Sequence, residues 1–448
     1  MKFKKILVWF RNDLRLHDNE MLVEAIAKSD YILPVYFFDP SLIQETRFET
    51  SKSGINKVQF LLESISALRA AFQKLGGNLL LVNGKPEDEM AKLVEKYDIS
   101  EVYHHREVGP EETAVSAKVE DLLWKHKINL KHFIGHTLYN KEDLPFPIKD
   151  IPDIFAQFKK KTERDAIVKA CFEEPAVINF VGGIENVKNA ENLERIQNSG
   201  IIESKEWGEL PTLDALGFEV NTSPDLYTKG GEAAGLEHLE HLLKEGSDIY
   251  LKSVKGNSDK AGFSSRLSSW LALGCLSPRK VYWMVKSAEG KFGNNTNFNQ
   301  IFLGLLWRDY YRFMFKKHGV KFFQEPELEK WVAEPETIYN AAIRKWKSAD
   351  TGHVLVDRYM KELNESGFIP HAARLLVATY LVHVLRVHWI YGAAYFEEKL
   401  LDYSPASNWG NWANVAGAGL DLKSKNVFDL DKQIKILDVD VSAAPTYA

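Results

Sequence analysis

The segment Ser407-Asn408-Trp409-Gly410-Asn411-Trp412 sets an amide side chain among large indoles, just after the acidic turn Leu401-Asp402-Tyr403-Ser404-Pro405. A buried asparagine both donates and accepts hydrogen bonds. A buried indole is a large, oxidisable ring. Together they suit a redox cofactor whose ring nitrogen changes protonation as it gains electrons. Alone, the segment reads equally as a polar helix start with two core tryptophans, so its neighbours have to decide. Ser264-Ser265-Arg266-Leu267-Ser268 puts hydroxyls and a guanidinium at the opening of a helix, where free N–H groups hold phosphate or pyrophosphate; a plain serine cap is the competing reading. In Leu305–Phe313 aromatic and basic residues interleave, and Arg312, Lys316 and Lys317 share one helical face. That pattern suits phosphate contact with base stacking, against an equal case for a solvated charged face. Trp389, Trp412 and either Trp331 or Trp346 are candidates for an electron-hopping chain, although core packing is the commoner role of a helical tryptophan.

The elements that must hold these residues are legible in outline. Lys5–Phe10 and Tyr31–Phe38 are continuous apolar runs, with Leu79–Val82, Val102–His105 and Leu130–Ile134 completing the set. Helical stretches at 21–29 and about 56–75 lie between them. Strands apolar on both faces and separated by helices predict a buried parallel sheet in a doubly wound α/β domain. Trp9–Asn19 follows the first strand at its carboxyl end, where open sheets place ligands. Its density of Arg and Asp reads as a fixed ion-pair network, and no Gly-rich dinucleotide fingerprint follows the strand. Residues 136–225 are rich in turn formers and read as a long connector. Beyond about 230 helical periodicity dominates, with helices expected near 231–244, 264–288, 298–318, 335–348, 353–365, 370–385 and 391–401. The expected organisation is an α/β domain over 1–135, a connector over 136–225, an all-helical domain over 226–440 and a frayed tail over 441–448.

Composition narrows the setting. A hydrophobic content of 45% supports a full core. A net charge of −5 argues against indiscriminate nucleic-acid binding. Cys171 and Cys275 are the only cysteines, too few for a four-cysteine metal site and without the pattern of a disulfide scaffold. The start, Met1-Lys2-Phe3-Lys4-Lys5, lacks the pattern of a signal peptide. The apolar-rich stretch 375–396 carries His383, Arg386 and His388 and reads as a buried helix, not a membrane span. A reducing, cytoplasmic setting is expected.

Taken together, these residues resemble the photolyase/cryptochrome flavoproteins, most closely the DASH-type cryptochromes. The resemblance runs from residue 5 to about 430. It rests on Val8–Asn19, Leu144-Pro145-Phe146-Pro147, Gly230-Gly231-Glu232-Ala233-Ala234, Trp270–Arg279, Leu306-Trp307-Arg308-Asp309-Tyr310 and Ser407–Trp412. It implies a U-shaped FAD inside the helical domain. Tyr250 and the residues Ser264, Ser265, Arg266, Leu267 and Ser268 match its phosphate-side contacts. Arg374 and Asp402 match a buried ion pair over the isoalloxazine, Asp402 and Ser404 lie in the segment touching flavin and ribityl chain, and Asn408 matches the residue facing flavin N5. Trp412, Trp389 and Trp331 match the proximal, middle and distal members of a photoreduction chain. Trp307, Arg308, Arg312 and His371 fall where a DNA substrate would sit. A folate antenna, 5,10-methenyltetrahydrofolate, is implied near Glu111 or Glu112.

Departures from the family pattern bear on activity. Gly304 stands where repair-competent members carry a Glu three residues before the lesion-stacking Trp. His371 replaces an Asn, Ala372 an Arg, and Ile301 an aromatic. Each lost charge-assisted hydrogen bond removes about 1.5–3 kcal/mol. The expectation is therefore a blue-light-responsive flavoprotein with an unidentified signalling partner. A deoxyribodipyrimidine photo-lyase acting on damaged or single-stranded DNA, and a nucleic-acid-binding regulator with a structural flavin, are the alternatives.

Overall fold

The computed structural model describes residues 3–182, 202, 204–219, 228–247, 249, 264–319, 336–417, 430, 434 and 437, with 336–340 described by backbone alone. The chain opens with β1 (Lys5–Phe10), α1 (Glu20–Lys28), β2 (Tyr31–Phe38), α2 (Ile55–Lys74), β3 (Leu80–Asn83), α3 (Pro86–Tyr97), β4 (Glu101–His105), α4 (Pro110–Lys125) and β5 (Asn129–Phe133). All the strands pair in parallel, in the order β3-β2-β1-β4-β5. Alternate residues of β1 serve opposite faces. Ile6, Val8 and Phe10 pack with Phe60, Ile65, Leu68 and Phe72 of α2, while Leu7 and Trp9 pack with Met90 and Val94 of α3 and Val119 and Leu123 of α4. A strand buried on both sides needs the continuous apolar run that the sequence shows. The strand order reverses between β1 and β4, so the loop after β1 emerges at the switch point.

That loop is a clamp between the domains. Arg15 is fully buried and donates to the carbonyls of Gly135 and Gly274, each at 2.9 Å. Asp18 pairs with Arg279 at 2.7 Å. His17 pairs with Glu232. Asn19 caps α1, its side chain accepting from the Leu22 N–H.

After the sheet come α5 (Phe155–Asp165), α6 (Glu232–Leu243), α7 (Ser268–Ala272), α8 (Pro278–Phe292), α9 (Thr296–His318), α10 (Glu336–Lys347), α11 (Val354–Ser366), α12 (His371–Thr379), α13 (Trp389–Lys399) and α14 (Pro405–Ala416). Three segments depart from the sequence-based expectation. The single helix expected over 264–288 is two, α7 and α8. Between them Gly274 adopts φ +64 and presses on the backbone of Asn12, a contact that leaves no room for a side chain. Ser277 then caps α8 ahead of Pro278. The helix expected over 370–385 ends at Thr379 and widens into a π-turn over Tyr380–Val384. The turn-rich connector holds α5, whose Phe158 and Thr162 are buried while Lys160 and Lys161 flank them. Among the described residues, no helix is long and apolar enough to cross a membrane.

Candidate functional site

A partly open cavity lies among α12, α13 and α14. α12 contributes His371 and Arg374, α13 contributes Phe396, the α13–α14 turn contributes Asp402, and α14 contributes Asn408 and Trp412. Arg374 donates to Asp402 Oδ2 at 2.8 Å and to the carbonyl of Ile369 at 2.8 Å. Asn408 donates through Nδ2 to the carbonyl of Ala393 at 2.9 Å. That bond fixes the amide, because flipping it would set its oxygen against a carbonyl oxygen. Asn408 Oδ1 therefore stays an acceptor.

Three buried acceptors here have no protein partner: Asp402 Oδ1, Ser404 Oγ and Asn408 Oδ1. A buried polar atom left unsatisfied costs about 1–3 kcal/mol. Three within one turn and a half of chain point to a ligand that brings its own donors. The residues fit a flavin: an aromatic and aliphatic wall formed by Trp412, Phe396 and Leu375, with carboxylate and amide oxygens placed for ring N–H groups. His371 lines the same cavity from the exposed start of α12.

The serine segment lies beside this cavity. Arg266 stands 5.2 Å from the Phe368 ring and Arg374 stands 5.3 Å from the same ring. The segment does not open a helix as expected. Arg266 has φ 53, and α7 begins at Ser268 with no side-chain cap. Ser264 and Arg266 are exposed, Ser265 and Ser268 partly buried, and Leu267 is buried. Tyr250 and Trp331 lie outside the described residues.

The indoles fall into two ring contacts. Trp412 meets Trp346 edge-on at 6.2 Å and Phe396 at 5.0 Å. Trp389 meets Trp409 edge-on at 5.8 Å. A side chain at Gly392 would overlap Trp412, so glycine is what lets α13 lie flat on that indole.

Of the basic face expected on α9, Arg312 and Lys317 are engaged by the protein itself, while Lys316 is exposed. Arg308 is turned inward, donating to the carbonyls of His136 and Leu271, and burial pushes its pKa down to about 9. Arg312 is buried and paired with Glu107 at 3.0 Å. Lys317 donates to the carbonyl of Ile151 and to Asp153, each at 2.7 Å. These helical positions face α5 and the sheet domain, and the pairing partners come from segments too distant in sequence to foresee. Trp307 is partly buried, with one face stacked on Phe155 of α5 at 3.5 Å and 10°. Gly304 is exposed, with open space where a side chain would begin.

Near the expected antenna position, Glu111 is tied to Lys52, while burial, followed by the charge of Glu107, raises the pKa of Glu112. Glu107 itself was not anticipated. Burial alone would raise its pKa, yet cationic neighbours hold it well below the carboxylate range. Since burial keeps His136 neutral, the opposing charges are Arg312 and then Arg11. A lone Glu at a strand end gives no signal of a partner 205 residues away.

A profile described as DNA photolyase matches residues 6–176, and one described as the FAD binding domain of DNA photolyase matches residues 302–444. Cryptochrome DASH of Gloeobacter violaceus is 36% identical, covering 98% of this chain and 84% of that protein. Cryptochrome DASH of Xenopus laevis is 35% identical, over 96% of this chain and 79% of that protein. The crystal structure of a Synechocystis cryptochrome superposes with a TM-score of 0.84 at 33% identity, covering 98% of this chain and 87% of that one. An archaeal photolyase from Sulfolobus tokodaii shares the fold, with a TM-score of 0.69 at 23% identity.

Proposed function

The chain belongs to the photolyase/cryptochrome family, within which its relatives are DASH cryptochromes, and on that premise we propose that it is a blue-light-responsive flavoprotein whose FAD is photoreduced through tryptophan. The observation that carries this is the cavity wall, where an oxidisable indole, Trp412, lies alongside the unsatisfied acceptors Asp402 Oδ1 and Asn408 Oδ1. FAD supplies light absorption and accepts the electron. The protein orients it through the Arg374–Asp402 pair and presents Asn408 Oδ1 as a fixed acceptor for a ring N–H. The serines and Arg266 are assigned to the phosphate side, with Tyr250. Trp412 is assigned as first electron donor and Trp389 as the next, with Trp331 as a distal candidate. Trp412→Phe should slow flavin bleaching under blue light with a thiol donor by an order of magnitude or more; an unchanged rate would show another first donor.

The dimer-repair reading draws on the partly exposed Trp307. Against it stand Gly304 and Ala372 in place of a Glu and an Arg, and the inward-turned Arg308 and Arg312. With a flipped dimer in the cavity, few polar partners would meet it. Because space is open at Gly304, the double variant Gly304→Glu, Ala372→Arg should gain affinity for a thymine dimer in single-stranded DNA, while the natural chain repairs it weakly. Efficient repair by the natural chain would reverse this ranking. If a folate antenna is carried, Glu112 is the better-placed carboxyl, since Glu111 is tied to Lys52. The free thiols of Cys171 and Cys275 are consistent with a reducing cytoplasm.

A further inference from the structure

Resting on the photoreduction reading, we propose that the oxidising equivalent passes from Trp389 to Trp409 and comes to rest on Tyr403, with Glu397 taking the phenolic proton. The structure lays out the path from Trp389 onward. The rings of Trp389 and Trp409 are 5.8 Å apart, and Trp409 Nε1 donates to the Tyr403 hydroxyl at 3.3 Å. The Glu397 carboxylate is an electrostatic neighbour of that phenol.

Each ring has the chemistry its place requires. Trp389 is buried, and its Nε1 has no hydrogen-bond partner. An indole that loses an electron there keeps its proton and stays strongly oxidising, so it passes the deficit on. A phenol is different, because it is readily oxidised only if its proton leaves with the electron. Lys57 enforces this at Tyr403. Its Nζ lies 4.3 Å from the ring and is held there by the carbonyls of Lys52 and Glu397, each at 2.8 Å. A positive charge over the ring disfavours a cationic phenol. Burial raises the pKa of both Tyr403 and Glu397, keeping the proton on the phenol until the electron goes and making the carboxylate a stronger acceptor. Around this pair stand Lys52 and Lys57 from the α2 side, Glu111 and Glu112 of α4, and Glu398 of α13.

Electrons and protons balance. With FAD bound, Trp412 would supply the first electron and Trp389 would replace it, as proposed above. Trp389 recovers one from Trp409, and Trp409 one from Tyr403. One proton moves from the Tyr403 hydroxyl to Glu397. The products are a neutral tyrosyl, a protonated Glu397 and restored indoles; a soluble thiol later returns the electron while Glu397 returns the proton. The other ring contact of Trp412 lacks such an end. Trp346 donates Nε1 to the carbonyl of Val377 at 3.0 Å, and beyond it the Tyr395 hydroxyl donates to the amide oxygen of Asn364 at 2.6 Å. Neither acceptor is a base.

The test is electron paramagnetic resonance of the full-length, FAD-loaded protein, frozen under blue light without thiol, with ring-deuterated tyrosine or tryptophan incorporated. The wild-type radical should narrow with deuterated tyrosine. Tyr403→Phe should lose that signal, leaving a shorter-lived tryptophan radical. Glu397→Gln, which keeps shape and removes the base, should abolish the solvent deuterium effect on radical formation. A wild-type radical that narrows only with deuterated tryptophan, or a tyrosyl signal that survives Tyr403→Phe, would overturn the assignment while flavin bleaching persists. If the wild type neither bleaches nor yields a radical, the photoreduction reading falls and this inference with it.

Discussion

At the scale of the residue, the site is a set of buried polar atoms whose partners the protein itself does not provide. Asp402 shows the consequence. One oxygen holds Arg374 at 2.8 Å and the other has no partner. Asp402→Ala would leave the guanidinium without its counter-ion in the cavity wall and remove an acceptor, weakening FAD retention by roughly tenfold or more, as a charge-assisted bond of about 1.5–3 kcal/mol implies. The flavin-to-protein absorbance ratio after gel filtration reads this directly, and full occupancy would reject the pairing. Much at this scale was legible: Asp402, Asn408 and Trp412 are grouped in sequence because one turn and one helix carry them. What was not legible is how neighbours set their roles. The amide of Asn408 can rotate in principle, but the carbonyl of Ala393 on α13 decides that it accepts. Trp389 was read as a step toward Trp331, which lies outside the described residues; the described ring contacts of Trp389 are His388 and Trp409.

At the scale of the element, α9 carries the sharpest lesson. Of its bases, Arg308 and Arg312 turn inward to His136 and Glu107 and Lys317 is tied to Asp153, while Lys316 stays exposed. Periodicity identifies a face without saying what covers it, and partners 164 to 205 residues earlier in the chain leave no local trace. The boundary errors have a similar origin. One helix over 264–288 is reasonable from propensity, but the close approach of Gly274 to Asn12 belongs to domain docking. Arg312→Ala tests whether α9 is a tie between domains. Removing one member of a buried pair typically costs about 3–5 kcal/mol, because the other charge is left uncompensated. The first unfolding transition in denaturant should shift accordingly, with little change in DNA affinity; a stable variant that binds DNA poorly would return Arg312 to a substrate role.

At the scale of the whole molecule, a five-stranded parallel sheet and an all-helical domain are joined by buried charges around the loop after β1. The division into α/β and helical halves was readable because strand and helix periods differ; the loop after β1 was expected as an ion-pair network, but its partners were not, because Arg15, Asp18 and Glu107 find them only after docking. This joint should be acid-sensitive. Glu107 has a depressed pKa in the folded state, so its contribution is complete above the unfolded value of about 4.3 and is lost as pH falls below it. Melting temperature should therefore drop steeply in that acid range, and Arg312→Ala should flatten the drop. The most direct measurement of the central claim is the absorption spectrum of the purified protein, recorded before and after blue light with a thiol present. Oxidised-flavin bands that fade on illumination and return in air are the predicted result. A preparation with no flavin bands, even after incubation with FAD, would contradict it.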